Sequence, residues 1–106
     1  MNTFKNAGVA IGTSRTTLYT CPAATQTIFH ALYISNIDGT NDATVTIEIT
    51  VDGGTTYRHI AKTVSVPADA TLVLDKPINL EAGDIIGLTA SVAGDLEVFA
   101  SILEIT

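Results

Sequence analysis

Hydrophobic and polar positions alternate with a period of two along most of this chain, and no apolar repeat of 3.6 residues runs for the length of a helix. The clearest case is 43–51. Val45, Ile47, Ile49 and Val51 point one way there and Thr44, Thr46, Glu48 and Thr50 the other, which predicts a half-buried antiparallel strand. Asp52-Gly53-Gly54 is a hairpin turn of the kind that needs positive φ. Residues 55–66 return from it, with Tyr57, Ile60, Val64 and Val66 as large apolar members and a break in alternation at Ala61 where a bulge fits. The longest apolar run is 26–37. Ile28, His30, Leu32, Ile34 and Asn36 fall on one face, and Phe29, Ala31, Tyr33, Ser35 and Ile37 on the other. With apolar groups on both faces, this run predicts a central strand or one covered by a partner.

Residues 15–21 are β-branched and aromatic and stop at Pro22, predicting a first strand suited to a sheet edge. Further strands are predicted at 71–75, 78–80, 84–92 and 96–106. The last sets Leu96, Val98, Ala100 and Ile102 against Glu97, Phe99, Ser101 and Leu103. Turns fall at Pro67-Ala68-Asp69-Ala70, at Glu81-Ala82-Gly83-Asp84 and at Ala93-Gly94-Asp95, and such even spacing marks an all-β sandwich or barrel. Before them, residues 1–14 hold small-residue breaks at Asn6-Ala7-Gly8 and Gly12-Thr13-Ser14. They read as an extended N-terminal arm ahead of a single β-sandwich domain over 15–106. The arm carries Phe4, Val9 and Ile11, which are costly to leave in water, so it is expected to dock on another subunit.

Length and composition sharpen this reading. A chain of 106 residues fits one domain. Its 46% hydrophobic and 15% charged residues suit a packed core and leave few charges for the outside, which implies that partners cover part of the surface. The net charge of −6, with five Lys and Arg scattered singly, offers no basic stripe for a phosphate backbone. Direct nucleic-acid contact is therefore not expected. Neither is a membrane partner, since no run of about 18 apolar residues and no signal-like apolar segment occurs. Cys21 stands alone, cannot form an internal disulfide, and reads as a small buried hydrophobe in a protein assembled in a reducing cytoplasm.

Reaction chemistry is not visible. His30 and His59 lie in different strands, without the converging third ligand that a metal site needs, so neither metal nor cofactor is expected. Asp38, Asn41 and Asp42 resemble a sparse Ca²⁺ loop, but all three are ordinary turn residues. Glu81 and Asp84 are explained by their turn. Tyr19, Tyr33 and Tyr57 could form a stacking platform for sugars, with core or interface packing as the alternative. No hydrolase or phosphate-loop arrangement occurs, and the chain is expected not to be an enzyme.

The order Phe4-Lys5-Asn6-Ala7, Ile11-Gly12-Thr13-Ser14 and Thr17-Leu18-Tyr19-Thr20-Cys21-Pro22-Ala23 resembles small structural proteins of tailed bacteriophages. So do the strand end from Leu32 to Asn36, the Pro67 to Leu74 segment, the Leu80 to Asp84 turn and the Ser101 to Ile105 close. The resemblance spans nearly the whole chain and rests on strand and turn residues. It implies a jelly-roll-like antiparallel sandwich in a virion assembled in the host cytoplasm, serving as a capsid decoration or cement protein. A neck, tail or fibre-attachment component is the alternative. The expected partners are the major capsid protein or other virion proteins, with a homo-oligomer, trimer or dimer, on the shell. Contact is expected through Phe4, Val9 and Ile11 of the arm, through the loop of Asp38, Asn41 and Asp42, and through the Asp52 hairpin. A carbohydrate-binding module is the alternative of another class, which exposed aromatics on one face would favour. An enzyme would be excluded by the absence of any cluster of three polar side chains.

Overall fold

Nine strands and no helix build the protein in the computed structural model, which describes residues 1–106. They are β1 (Asn2–Ala10), β2 (Thr16–Thr20), β3 (Gln26–Asn36), β4 (Ala43–Thr50), β5 (Arg58–Val66), β6 (Thr71–Leu74), β7 (Ile78–Leu80), β8 (Ile85–Ala90) and β9 (Leu96–Ile105). One antiparallel sheet runs β1-β9-β3, with β6 and β7 in tandem along the far side of β3. The other runs β2-β8-β4-β5. The chain changes sheet at every connection except β4 to β5 and β6 to β7, so neither sheet can be completed without the other.

Period-two alternation explains the layering. Leu96, Val98, Ala100 and Ile102 of β9 face inward, as predicted, against Val45 and Ile47 of β4 and Ile86 and Leu88 of β8. Full burial of each large apolar side chain contributes about 1.5–3 kcal/mol. The break at Ala61 is also found: Ala61 pairs with Ile47 between two register shifts, and Thr63 takes a positive φ of 48°.

Three expectations change. The run 26–37 does not keep one parity, because Phe29 pairs with Ile102 and Ala31 with Ser101, leaving His30 as an extra residue in the ladder. Such a bulge switches faces, so Thr27 and Phe29 point inward before it and Leu32, Ile34 and Asn36 after it. The Asp52-Gly53-Gly54 reversal is wider than a tight hairpin, since β5 begins only at Arg58. The expected arm is a strand: β1 pairs with β9 from Asn2↔Ile105 to Ala10↔Glu97. Backbone hydrogen bonds hold it to its own domain, and Ile11, just beyond its end, is 1% exposed within the core.

Candidate functional site

The outer face of the five-stranded sheet carries a group of exposed apolar side chains. Register aligns Gly8, Phe99, Tyr33 and Val73 in one row across β1, β9, β3 and β6, and Phe4, Leu103 and Ile28 in a second row. Phe4 is 81% exposed, and Tyr33, Val73 and Phe99 are between 39% and 47% exposed. The Tyr33 and Phe99 rings lie 6.5 Å apart, tilted by 34°. Beside them runs a groove of about 380 Å³, lined by Gly8 and Ala10 on one side and by Ser35 and Glu97 at its rim. A Cβ on Gly8 would lie 3.6 Å from the Phe99 ring, so glycine leaves open the space next to that ring.

The outer face of the four-stranded sheet is polar. Arg15 reaches over β8 to Glu48 of β4, with Nε 3.2 Å from Oε1 and Nη2 3.4 Å from Oε2. Its guanidinium carbon lies 3.6 Å from the centre of the Tyr57 ring. Gly87 allows this path, since a Cβ there would meet Arg15 Cγ at 2.9 Å. His59 Nε2 sits 3.7 Å from the other side of Glu48, at Oε2. The hydrogen bond that Arg15 donates to Glu48 is the main cause that raises the Arg15 pKa. Arg15, Glu48 and His59 thus form the three-residue polar cluster whose absence would have excluded an enzyme. It lies on an open sheet face, and its hydrogen bonds include no nucleophile.

A second polar group lies between the sheets. Tyr19 donates to Glu104, its hydroxyl is 2.9 Å from that of Thr27, and Lys5 Nζ is 3.1 Å from the other Glu104 oxygen. Burial, followed by the bond to Glu104, pushes the Tyr19 pKa up to about 12, and the Tyr19 bond lowers that of Glu104. Cys21 is buried beside this group, with Sγ 3.3 Å from Thr25 O and 3.2 Å from Thr27 Oγ1.

The residues expected to touch partners are not gathered into one site. Phe4 lies on the apolar face, Val9 faces inward half-exposed to the edge, and Ile11 is in the core and unavailable to a partner. Asp38, Asn41 and Asp42 sit at one end of the sandwich and Asp52 at the other. Asp38 Oδ1 accepts the N–H groups of Thr40 at 2.7 Å and Asn41 at 3.1 Å, and Asp42 Oδ1 accepts that of Ala68 at 3.0 Å. Asp52 Oδ1 accepts those of Thr56 at 2.9 Å and Thr55 at 3.1 Å. Backbone donors hold the Asp38 and Asp52 carboxyls below the usual carboxylate range. These acids are occupied in shaping their own loops. The three tyrosines are also dispersed: Tyr19 packs edge-on to Phe29, Tyr57 stacks on Arg15, and Tyr33 alone joins the apolar face. No group of three His, Cys, Asp or Glu side chains is arranged to hold a metal, and His30 and His59 are in different sheets.

Phe99, Val73 and the Arg15 cluster were not singled out from sequence. The signal for Phe99 was its parity with Leu103 on β9, opposite to the core positions.

No protein-family model matches the chain, and no curated protein matches it by sequence. Solved structures share its fold. It is similar to a chain of Bacillus endospore appendages, described as disulfide-linked pili, with a TM-score of 0.61 and 14% identity over 100% of this chain and 87% of that one. It is similar to a chain in the acid-stable capsid of Helicobacter pylori bacteriophage KHP30, with a TM-score of 0.54 and 10% identity over 97% and 86%. A chain of infectious bursal disease virus, Gx strain, matches at a TM-score of 0.55 and 12% identity, over 98% of this chain but 32% of that one. The sandwich is a viral-capsid-like β fold, found also in a pilus.

Proposed function

We propose that this protein is a structural component of a bacteriophage virion, a capsid decoration or cement protein of jelly-roll type that stabilises the head through protein–protein contacts. The observation that carries the reading is the apolar face bearing Phe4, Tyr33, Val73 and Phe99, since an exposed apolar sheet face of this kind marks an interaction surface. Similarity to a phage capsid chain supports a virion structural role. The disulfide-linked assembly described for the pilus is not open to Cys21, which is 1% exposed and the only thiol. Many modest contacts repeated on a lattice give such a protein avidity. Its partners are the major capsid protein and other virion proteins.

A carbohydrate-binding role is the second reading, favoured by three exposed aromatics on one face. Few polar groups flank them, however. Ser35 Oγ is already 3.1 Å from Thr71 Oγ1, and Glu97 is left as the main acceptor for sugar hydroxyls. The Arg15 cluster is read as structural, and the protein as non-enzymatic, because Glu48 is used in holding Arg15.

Deleting the gene tests the proposal. Particles lacking a cement protein assemble but lose DNA at lower temperature or lower salt, where DNA self-repulsion is less screened. Full, stable heads without tails or fibres would move the protein to the neck or tail. Stable, complete particles that no longer adsorb to host glycans would favour the carbohydrate reading.

A further inference from the structure

β1 is the end strand of its sheet, and its outer edge is unpaired. Two bonds fix the phase of the strand: Thr106 N–H donates to Met1 O at 2.9 Å, and Ile11 N–H donates to Leu96 O at 2.9 Å. Both fall on the register of the β1–β9 ladder, so the odd-numbered residues of β1 turn their backbone groups toward β9. Backbone direction alternates along an antiparallel strand, which leaves Asn2, Phe4, Asn6, Gly8 and Ala10 with N–H and C=O pointing away from the sheet. None of these five takes part in a backbone bond outside the strand ladders, and no strand pairs with this edge. A nine-residue edge whose one charged side chain, Lys5, is drawn to Glu104 is an open template for another strand.

We propose that two copies join through β1 about a two-fold axis at Asn6, making one continuous sheet from their two five-stranded sheets. The register follows from the free groups. Even-numbered residues must face even-numbered residues, and the axis at Asn6 is the one that overlaps all of Asn2–Ala10. An axis at Lys5 would set two ammonium groups against each other, and an axis at Ala7 would shorten the overlap. With the axis at Asn6, Phe4 stands opposite the partner's Gly8. The ring that is 81% exposed then meets the residue without a side chain and enters the groove beside the partner's Phe99 and the partner's Tyr33. Ring and groove lie four residues apart on the same face of one strand, symmetric about Asn6, so each copy gives a ring and receives one. This dimer goes beyond the virion reading and is measured on purified protein, so its failure would leave the particle test of that reading untouched.

Sedimentation equilibrium of the full chain and of two variants is the experiment, with cross-linking of two cysteine variants beside it. Asn6→Pro removes an N–H that β9 does not use, and proline is tolerated at an edge whose N–H faces solvent. It should raise the dimer dissociation constant about tenfold or more, as should Phe4→Ala. Asn6→Cys should cross-link rapidly under mild oxidation, because hydrogen-bonded pairs hold Cα atoms about 5.5 Å apart, within disulfide range. Cys21 is buried and does not compete. If Asn6→Pro fails to fold, the cross-linking rate and Phe4→Ala decide. A chain that stays monomeric at millimolar concentration would overturn the proposal. So would a dimer indifferent to Phe4→Ala in which Asn6→Cys cross-links no faster than Thr71→Cys on the same face. Glycan or foreign peptide binding in the groove of a persistent monomer would overturn it as well.

Discussion

Ile11→Ala separates a strand from an arm. Ile11 is 1% exposed, its N–H bonds to Leu96 O at 2.9 Å, and it closes the core where β1 hands over to β2. Truncating a fully buried isoleucine costs about 2–5 kcal/mol, the removed carbons and the cavity both contributing. A domain of this size holds a total stability of about 5–15 kcal/mol, so the loss is a large share. Urea denaturation of dilute protein, followed by far-UV circular dichroism, reads it directly. With a slope of roughly 1–3 kcal/mol/M, a loss of about 3 kcal/mol lowers the midpoint by about 1–3 M. Phe4→Ala, at a side chain 81% exposed in the single subunit, should change stability by about 0.5 kcal/mol or less under the same conditions. If both variants unfold with the wild type, residues 1–11 are not part of the folded domain in solution, and placing β1 in the sheet is wrong.

Tyr19→Phe removes the hydroxyl that bonds Glu104 and Thr27 and should cost about 1–3 kcal/mol by the same denaturation measurement. Because the Tyr19 pKa is raised, its contribution is full below the unfolded value near 10 and is lost as pH rises toward about 12, so a pH-stability curve should fall there in wild type and not in Tyr19→Phe. Glu104 is shifted the other way. Its contribution is present above its unfolded pKa and lost as pH falls through the lower folded value, so Glu104→Gln should flatten the acid limb. Arg15→Ala removes the guanidinium that pairs with the buried Glu48 carboxylate and should lower the melting temperature, and Gly87→Ala, by displacing the Arg15 stem, should reproduce part of that loss in thermal melts.

The two-residue alternation was legible along β9 and along β4 as far as Ile47, where one face is packed and the other is not. Past the register shift after Ile47, Glu48 and Thr50 are buried and Val51 is 67% exposed, against the expected alternation. The turns at Pro67–Ala70 and Glu81–Asp84 were legible from their residue types, and the Ala61 break from lost alternation. β1 was not legible. As an edge strand it is held mainly by backbone bonds to β9, which leave no mark in composition, and only Ala7 and Val9 turn toward the core. The His30 bulge lacks Gly or Pro, and its one trace is the three-residue step between the buried Phe29 and Leu32. The Arg15–Glu48 pair joins residues 33 apart, and the Gly8–Phe99–Tyr33–Val73 row joins four strands, so both exist only once register is set.

Cryo-electron microscopy of the purified particle tests the structural-protein proposal most directly. The expected map shows this sandwich on the outside of the head at symmetry-related positions, with Phe4, Tyr33, Val73 and Phe99 buried against neighbouring subunits. Purified infectious particles that hold no copy of the chain would contradict it, and so would copies in which that face stays open to solvent.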